Sequence, residues 1–386
     1  MNSKNIQPTI VENQDQLEDV VNGLQLHERY AIDTEFHREK TYYPRLALVQ
    51  IRWGNNIALI DPVVVNIDVL APIFRADKIA IFHAGSQDLE ILLREVGEIP
   101  TQIFDTQIAA GFLGMRTPSL AALHETMIGV KLTKGDRLTD WFQRPLSVNQ
   151  IEYAASDVRY LLEVHDELVT KLVRRNRLKW AEDEFQRFIN KRQKNLEPID
   201  AWLKIKEAKH LNSKSRGVAQ ALAEWREDTA RRNDIPPRYV LSDLGLVGIA
   251  QRIPRDTKEL ENIRGLDSKQ FKGSMSEKLI SIVADGSKRN VKKPASGAKK
   301  NLSTELRPAV TLLSAWLSQY ASDNELDPAL LGTRSDIEAL LRGDDSPRLA
   351  DGWRHEEVGV PMQDLLMGKA TLAFSEGRLL MEKRSS

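Results

Sequence analysis

The chemistry-bearing residues of this chain are acids. Asp33 and Glu35 stand two apart in Tyr30-Ala31-Ile32-Asp33-Thr34-Glu35-Phe36, a segment that reads as a strand. Alternation along a strand sends both carboxylates to one face. The neighbouring positions are apolar or neutral, so the pair is costly to bury unless a cation or hydrogen-bond donors compensate it. Hard divalent cations such as Mg²⁺ or Mn²⁺ prefer such oxygen ligands. Spacing alone does not separate a ligand pair from a solvated one, because Asp-x-Glu occurs at 33/35, 88/90, 323/325 and 336/338. Tyr153 and Asp157, four apart on a predicted helix, share a face, but Tyr-x-x-x-Asp recurs at Tyr239/Asp243. Asp88 follows Phe82-His83-Ala84-Gly85-Ser86-Gln87 and falls in the first turn of a predicted helix. There an acid also favours the helix dipole for purely structural reasons.

The elements that must position these residues divide the chain. Residues 30–60 read as an antiparallel meander, with a turn at Gly54-Asn55-Asn56. From about residue 67 helix and strand alternate: helix near 67–76, strand 79–82, helix near 86–96, strand 102–105. That alternation predicts an α/β layer with a mixed sheet. Beyond residue 106 only helices are expected, including one with apolar spacing from Ile151 to Val173 and a basic one over 179–195. The expected organisation is a domain over 1–195 (core about 28–175), an all-α unit over 199–285, a basic Gly/Ser/Pro-containing linker over 287–304 and a second helical unit over 305–386.

The three acidic elements thus occur in a fixed order inside one α/β module. At this point the sequence resembles the DEDD exonucleases, in the subgroup with a tyrosine in the third motif, and within them the bacterial ribonuclease D family. The strings that carry the resemblance are Ala31-Ile32-Asp33-Thr34-Glu35-Phe36 with Pro44-Arg45-Leu46-Ala47-Leu48-Val49-Gln50-Ile51, Phe82-His83-Ala84-Gly85-Ser86-Gln87-Asp88-Leu89, Phe104-Asp105-Thr106-Gln107, Arg144-Pro145-Leu146, and Gln150-Ile151-Glu152-Tyr153-Ala154-Ala155-Ser156-Asp157-Val158. Residues 199–285 resemble the HRDC domain through Gly217-Val218-Ala219-Gln220-Ala221-Leu222-Ala223-Glu224-Trp225-Arg226-Glu227 and Ile235-Pro236-Pro237-Arg238-Tyr239-Val240-Leu241-Ser242-Asp243. The resemblance implies an α/β ribonuclease H-like exonuclease domain followed by two all-α HRDC-like helical domains.

It also implies phosphodiester hydrolysis with two divalent cations, Mg²⁺ or Mn²⁺, held by Asp33, Glu35, Asp88 and Asp157. Tyr153 would orient the attacking water. The implied activity is 3′→5′ trimming of RNA, tRNA precursors among them, with release of 5′-mononucleotides. HRDC resemblance implies nucleic-acid binding and sets Tyr239/Asp243 outside the catalytic site. Phe36 reads equally as a stacking surface for a terminal base or as core, and His83 as a substrate contact or a structural histidine. Asp105 reads as an N-cap or as a supporting acid, and Trp141 and Trp225 as packing. The rival readings are a 3′→5′ DNA exonuclease and a catalytically silent nucleic-acid-binding protein.

Composition agrees. The net charge is zero, but residues 1–170 carry 15 Lys/Arg and 24 Asp/Glu, whereas residues 171–216 carry 14 and 6. An acidic module that holds cations beside a basic strip that holds a polyanion accounts for this. The strip includes Lys171, Arg174, Arg175, Arg177, Lys179, Arg187, Lys191, Arg192 and Lys194, with Lys191 and Arg192 taken as substrate-binding candidates; a solvated face is the alternative. Absence of cysteine excludes disulfides, thiolate metal sites and cysteine nucleophiles. The N-terminal Met-Asn-Ser-Lys does not read as a secretory signal, and no apolar run is long enough to span a membrane. A cytoplasmic location is expected, and nothing in the sequence calls for an obligate protein partner.

Overall fold

In the computed structural model, which describes residues 3–132, 139–192, 197–266, 273–292, 302–344 and 348–384, the chain forms two units. The first comprises residues 1–36, 46–192 and 302–386; the second, residues 37–45 and 193–301.

In the first unit six strands make one sheet: β1 (Pro8–Val11), β2 (Arg29–His37), β3 (Arg45–Trp53), β4 (Asn56–Ile60), β5 (Ile79–Phe82) and β6 (Gln102–Asp105), in the order β1-β4-β3-β2-β5-β6. The meander puts β3 antiparallel to β4, while β1 joins β4, and β5 joins β2 and β6, in parallel. The central strands read as nearly continuous apolar runs because helices cover both faces; every residue of β3 from Leu46 to Trp53 is buried. The strand bearing the acid pair is therefore one of the two middle strands of a covered sheet, next to β3 and β5.

Helices follow the strands as the periodicity predicts: α1 (Gln14–Gln25), α2 (Ser86–Val96), α3 (Thr106–Gly111), α4 (Leu120–Ile128), α5 (Val148–Arg159), α6 (Leu161–Arg174) and α7 (Leu178–Arg192). Two differences from the sequence reading matter. The pattern from Ile151 to Val173 is not one helix: Tyr160 leaves the helical region (φ −117°, ψ 5°) and separates α5 from α6. The edge strand β1 and α1 were also not anticipated, since four residues carry little period-two signal.

The C-terminal residues depart further from expectation. They share one hydrophobic core with the sheet domain, through Val310, Trp316, Leu349 and Trp353. They contain helices α8 (Arg307–Asp323) and α9 (Arg334–Arg342), and end in a hairpin, β7 (Ala370–Ser375) with β8 (Arg378–Lys383), that a purely helical reading leaves out. The docking is polar as well as apolar. Arg177 donates to the carbonyls of Phe112 (2.9 Å) and Asn324 (2.7 Å), and Asp327 N–H donates to Gly111 O at 2.8 Å. A Cβ on Gly111 would stand 2.8 Å from Leu330 Cδ1, so a larger residue there would oblige that leucine to shift. Trp180 and Trp353 stack at 4.7 Å, with the guanidinium of Arg354 4.3 Å from the Trp353 centroid.

These contacts correct the reading of the basic strip. Arg175 pairs with Glu325, Arg187 with Asp351, Arg177 is buried among carbonyls, and Lys179 pairs with Glu182 and Asp183 on its own helix. Three of the nine strip residues, Arg175, Arg177 and Arg187, thus hold the C-terminal residues. Lys191 and Arg192 close α7, but their side chains, like Lys194, lie outside the described residues, as does half of the linker read at 287–304.

The second unit packs α10 (Ser213–Asn233), α11 (Asp243–Arg252) and α12 (Ser274–Lys288) around Trp202, Leu222, Trp225, Ile249 and Leu279. Gly217 and Gly286 let α10 and α12 touch: a Cβ on Gly217 would lie 2.3 Å from Gly286 O. The segment 37–45 belongs here, its Tyr42 hydroxyl donating to Glu227 at 2.5 Å and accepting from Arg231 Nε at 2.9 Å. Tyr239 and Asp243 fall on two different helices, and Asp243 pairs with Arg226, so this repeat of Tyr-x-x-x-Asp has no shared face.

Glu184 is the partner of both Arg348 and the fully buried Arg354. Burial pulls the Arg354 guanidinium down to about 10 even with that carboxylate beside it. Removing one side of a buried pair leaves an uncompensated charge, so Glu184→Ala is expected to cost about 3 kcal/mol in urea unfolding of the whole chain. A loss below about 1 kcal/mol, the range of an exposed pair, would contradict this docking.

Candidate active site

The second half of β2 brings the acid pair to one place. Ile32 and Thr34 are buried, whereas Asp33 and Glu35 are half-buried and project together toward α5. One carboxylate oxygen each from Asp33, Glu35 and Asp157 lies within 4.8 Å of the others, the three-acid group found among the described residues.

Asp157 arrives there because α5 is fixed at its start. Ser147 and Gln150 form a reciprocal capping box, and Gln150 Nε2 reaches back to Asp140 O at 3.0 Å. Arg144 pairs with the buried Asp61 at the end of β4 and donates to Ala47 O of β3 at 2.8 Å, tying the approach to α5 onto the sheet. Ala154, Ala155 and Val158 pack α5 down, leaving Tyr153 and Asp157 one turn apart on its half-buried side. Trp141, buried as expected of packing, has its ring 5.8 Å from that of Tyr153.

Asp88 enters from the opposite side of β2. It is buried in the first turn of α2, and Thr34 Oγ1 donates to its Oδ1 at 2.5 Å. It stands outside the three-oxygen group but close enough for its charge to be the largest of the neighbouring charges on Asp33. The turn before α2 is held by Asp105. This buried N-cap accepts from Gln107 and Ile108 at the start of α3 and also from Ala84 and Gly85, the last at 2.9 Å. Asp105 therefore fixes where Asp88 can stand while capping a helix. Burial pushes its carboxyl up, against the four N–H groups that pull it down.

The secondary candidates separate. His83 Nδ1 sits 2.9 Å from Thr106 Oγ1 and the ring also bonds the Pro118 carbonyl, contacts that suffice for a structural role; burial lowers it to about 4. Phe36 is half-buried against the core at the end of the acid-bearing run. The sequence reading assigned no role to Thr34, Arg144 or Asp61. A threonine between two acids was the available signal for the first, but nothing in the sequence pairs Arg144 with an aspartate 83 positions away.

Electrostatics gives the site its character. Burial raises the Asp33 carboxyl well above the usual range, and the charges of Asp88, Asp157 and Glu35 raise it further against one backbone N–H of Thr34. Burial raises Asp88 too, opposed by its bond from Thr34. Acids that like charges force toward protonation are compensated by a cation, and oxygen donors at this spacing suit a hard divalent one.

Comparison with known proteins bears on what such a site does. The family model for a 3′–5′ exonuclease matches residues 8–173, and that for the HRDC domain matches residues 215–283. The chain is 33% identical to a ribonuclease D of Bartonella henselae over 90% of its length and 87% of that protein. It is likewise 33% identical to a ribonuclease D of Sphingobium indicum, over 92% of this chain and 93% of the relative. The crystal structure of Escherichia coli RNase D, described as an exoribonuclease involved in structured RNA processing, superposes with a TM-score of 0.84 at 30% identity, covering 95% of this chain and 99% of that one.

Because burial and the repulsion of Asp88, Asp157 and Glu35 raise the Asp33 carboxyl, its folded value lies above its unfolded one. The stability it contributes without cations is thus full at low pH and is lost as pH rises from the ordinary range near about 4 through the raised value. In EDTA at neutral pH, Asp33→Asn should therefore melt higher than the parent protein, by about 2–4 °C for each kcal/mol of strain removed. A lower melting temperature would mean that the carboxylate is stabilised by its surroundings.

Proposed function

The chain belongs to the ribonuclease D family and is a 3′–5′ exoribonuclease, and from that premise we propose that Asp33, Glu35, Asp88, Asp157 and Tyr153 are its active site. The observation that carries this reading is the convergence of one oxygen from each of Asp33, Glu35 and Asp157 within 4.8 Å. The acids fit divalent cations: Asp33 would contribute to two, Glu35 and Asp157 to one of them, and Asp88 to the other. When bound, two such ions, Mg²⁺ or Mn²⁺, supply positive charge to the attacking and departing oxygens of phosphodiester hydrolysis. That Asp88 Oδ1 already accepts from Thr34 favours a contribution through water.

The remaining work falls to the chain's own residues. The attacking oxygen is water's; it forms the new bond to the terminal phosphorus as the bond to the preceding 3′ oxygen breaks. That oxygen leaves as a 3′-hydroxyl and the product is a 5′-mononucleotide. Tyr153, one helical turn before Asp157, orients the water through its hydroxyl. A free phenol titrates near about 10, which favours orientation over removal of the proton. Phe36, at the end of the same strand segment and packed against the core, is in this reading the surface on which the terminal base stacks.

The substrate reading is the 3′ end of structured RNA, tRNA precursors among them. It rests on the RNase D relatives, one of which is described as acting in structured RNA processing, and on the HRDC match as a second nucleic-acid-binding surface. A cytoplasmic location goes with it. Among the described residues no helix is long and apolar enough to cross a membrane.

A digest of 3′-extended tRNA, linear RNA and single-stranded DNA with Mg²⁺, Mn²⁺ or EDTA tests these assignments. Mononucleotides should appear from the RNAs only with a divalent cation, and Asp33→Asn should abolish them while RNA is still bound. Tyr153→Phe should lower kcat about 100-fold with KM nearly unchanged. Turnover by Asp33→Asn, or faster digestion of DNA than of either RNA, would contradict the reading.

A further inference from the structure

Residues 37–45 have a double allegiance. In sequence they connect β2 to β3, and His37 directly follows Phe36 and the acid pair. In packing they belong to the second unit.

The second unit is built to hold this segment. Glu227 on α10 is only 5% exposed, and a carboxylate so buried is costly unless hydrogen bonds compensate it. The Tyr42 hydroxyl donates to it at 2.5 Å, with the Lys204 ammonium further off at 3.9 Å. One turn on, Arg231 Nε donates to the same hydroxyl at 2.9 Å, and its guanidinium lies 5.7 Å from the centroid of the Tyr42 ring. Burial and the bond to Glu227 push the Tyr42 phenol up to about 12, so it stays protonated and donates. Asp234 then ends α10 in the left-handed region (φ 48°, ψ 47°), and its Oδ1 accepts from the Tyr43 N–H at 3.2 Å. Aspartate tolerates that backbone better than most side chains and supplies the acceptor as well. Glu227, Arg231 and Asp234 stand at i, i+4 and i+7, one face of one helix. Tyr42 also packs against the apolar core of the second unit.

The other end of the segment is covalently the acid strand, since five residues stand between Phe36 and Tyr42. A ligand engaged at two linked places binds the second one intramolecularly, at an effective concentration set by the linkage. We propose that residues 37–45 are a strap coupling RNA held by the second unit to hydrolysis at β2, with Tyr42 as its anchor and a specificity-determining residue for RNA long enough to engage both. This rests on the reading of the second unit as an RNA-binding surface. A tyrosine that only filled the core of that unit would leave the preference between long and short RNA unmoved.

Kinetics of the full chain with Mg²⁺ on a 3′-extended tRNA and on an RNA tetranucleotide test the proposal. Tyr42→Phe removes the hydroxyl and keeps the ring; Tyr42→Ala removes the anchor. KM for the tRNA should rise about threefold in the first and about tenfold in the second, with kcat nearly unchanged. Both constants on the tetranucleotide should stay at the parent values. An unaltered KM for the tRNA in Tyr42→Ala would overturn the proposal, as would equal losses on both RNAs. If Tyr42→Ala does not fold, Tyr42→Phe decides, and a parent-like KM for the tRNA in it overturns the strap. The parent protein separates the two levels. If its KM is the same for both RNAs, the RNA-binding reading of the second unit fails; if it prefers the tRNA and the Tyr42 variants keep that preference, only the strap fails.

Discussion

Repulsion among carboxylates is the constraint around which the first unit is organised. Asp33 and Glu35 share a strand face, Asp157 is brought to them by a helix, and Asp88 approaches from the other side of the same strand. Each negative charge makes the next harder to ionise in a half-buried place. A fold with no use for this arrangement would relax it, because the same β2 positions occupied by neutral residues would be easier to bury. The cluster instead persists on rigid elements, which is how a site that must receive cations is held ready before they arrive.

What resists the repulsion is a set of backbone and side-chain ties around each acid. Thr34 holds Asp88, Asp105 holds the turn from which Asp88 projects, and the pair Arg144–Asp61 with the Ser147–Gln150 box fixes the helix of Asp157. These ties join β2, β4, β5 and β6 to the helices that follow them, so the acids move only if the sheet does. The C-terminal residues extend the same unit. Arg177, Arg354 and the Trp180–Trp353 stack make them part of the exonuclease body. This exoribonuclease thereby keeps part of its cationic side chains engaged in its own architecture.

The strands 79–82 and 102–105 and the helix 86–96 were legible in the sequence to the residue, because apolar runs bounded by Gly and Pro leave little choice. That Asp33, Glu35 and Asp157 belong together was legible as well, though only through their order and neighbours, since the Asp-x-Glu and Tyr-x-x-x-Asp spacings recur elsewhere in the chain. What could not be read was long-range pairing. Arg144 with Asp61, and Glu184 with Arg354, lie 83 and 170 positions apart, and no local pattern marks them. The basic strip was ambiguous for the same reason: a run of Arg and Lys looks alike whether its partner is a phosphate or, as for Arg175 and Arg187, an acid further along the chain. The break at Tyr160 was hidden because the apolar period continues across it.

Repulsion among the acids at β2 calls for a divalent cation between them. Anomalous diffraction from crystals of the intact protein grown with Mn²⁺ tests it most directly. The account predicts anomalous density in contact with Asp33, Glu35 and Asp157, lost in Asp33→Asn crystals of the same form. Mn²⁺ bound elsewhere with none at these three carboxylates would contradict it.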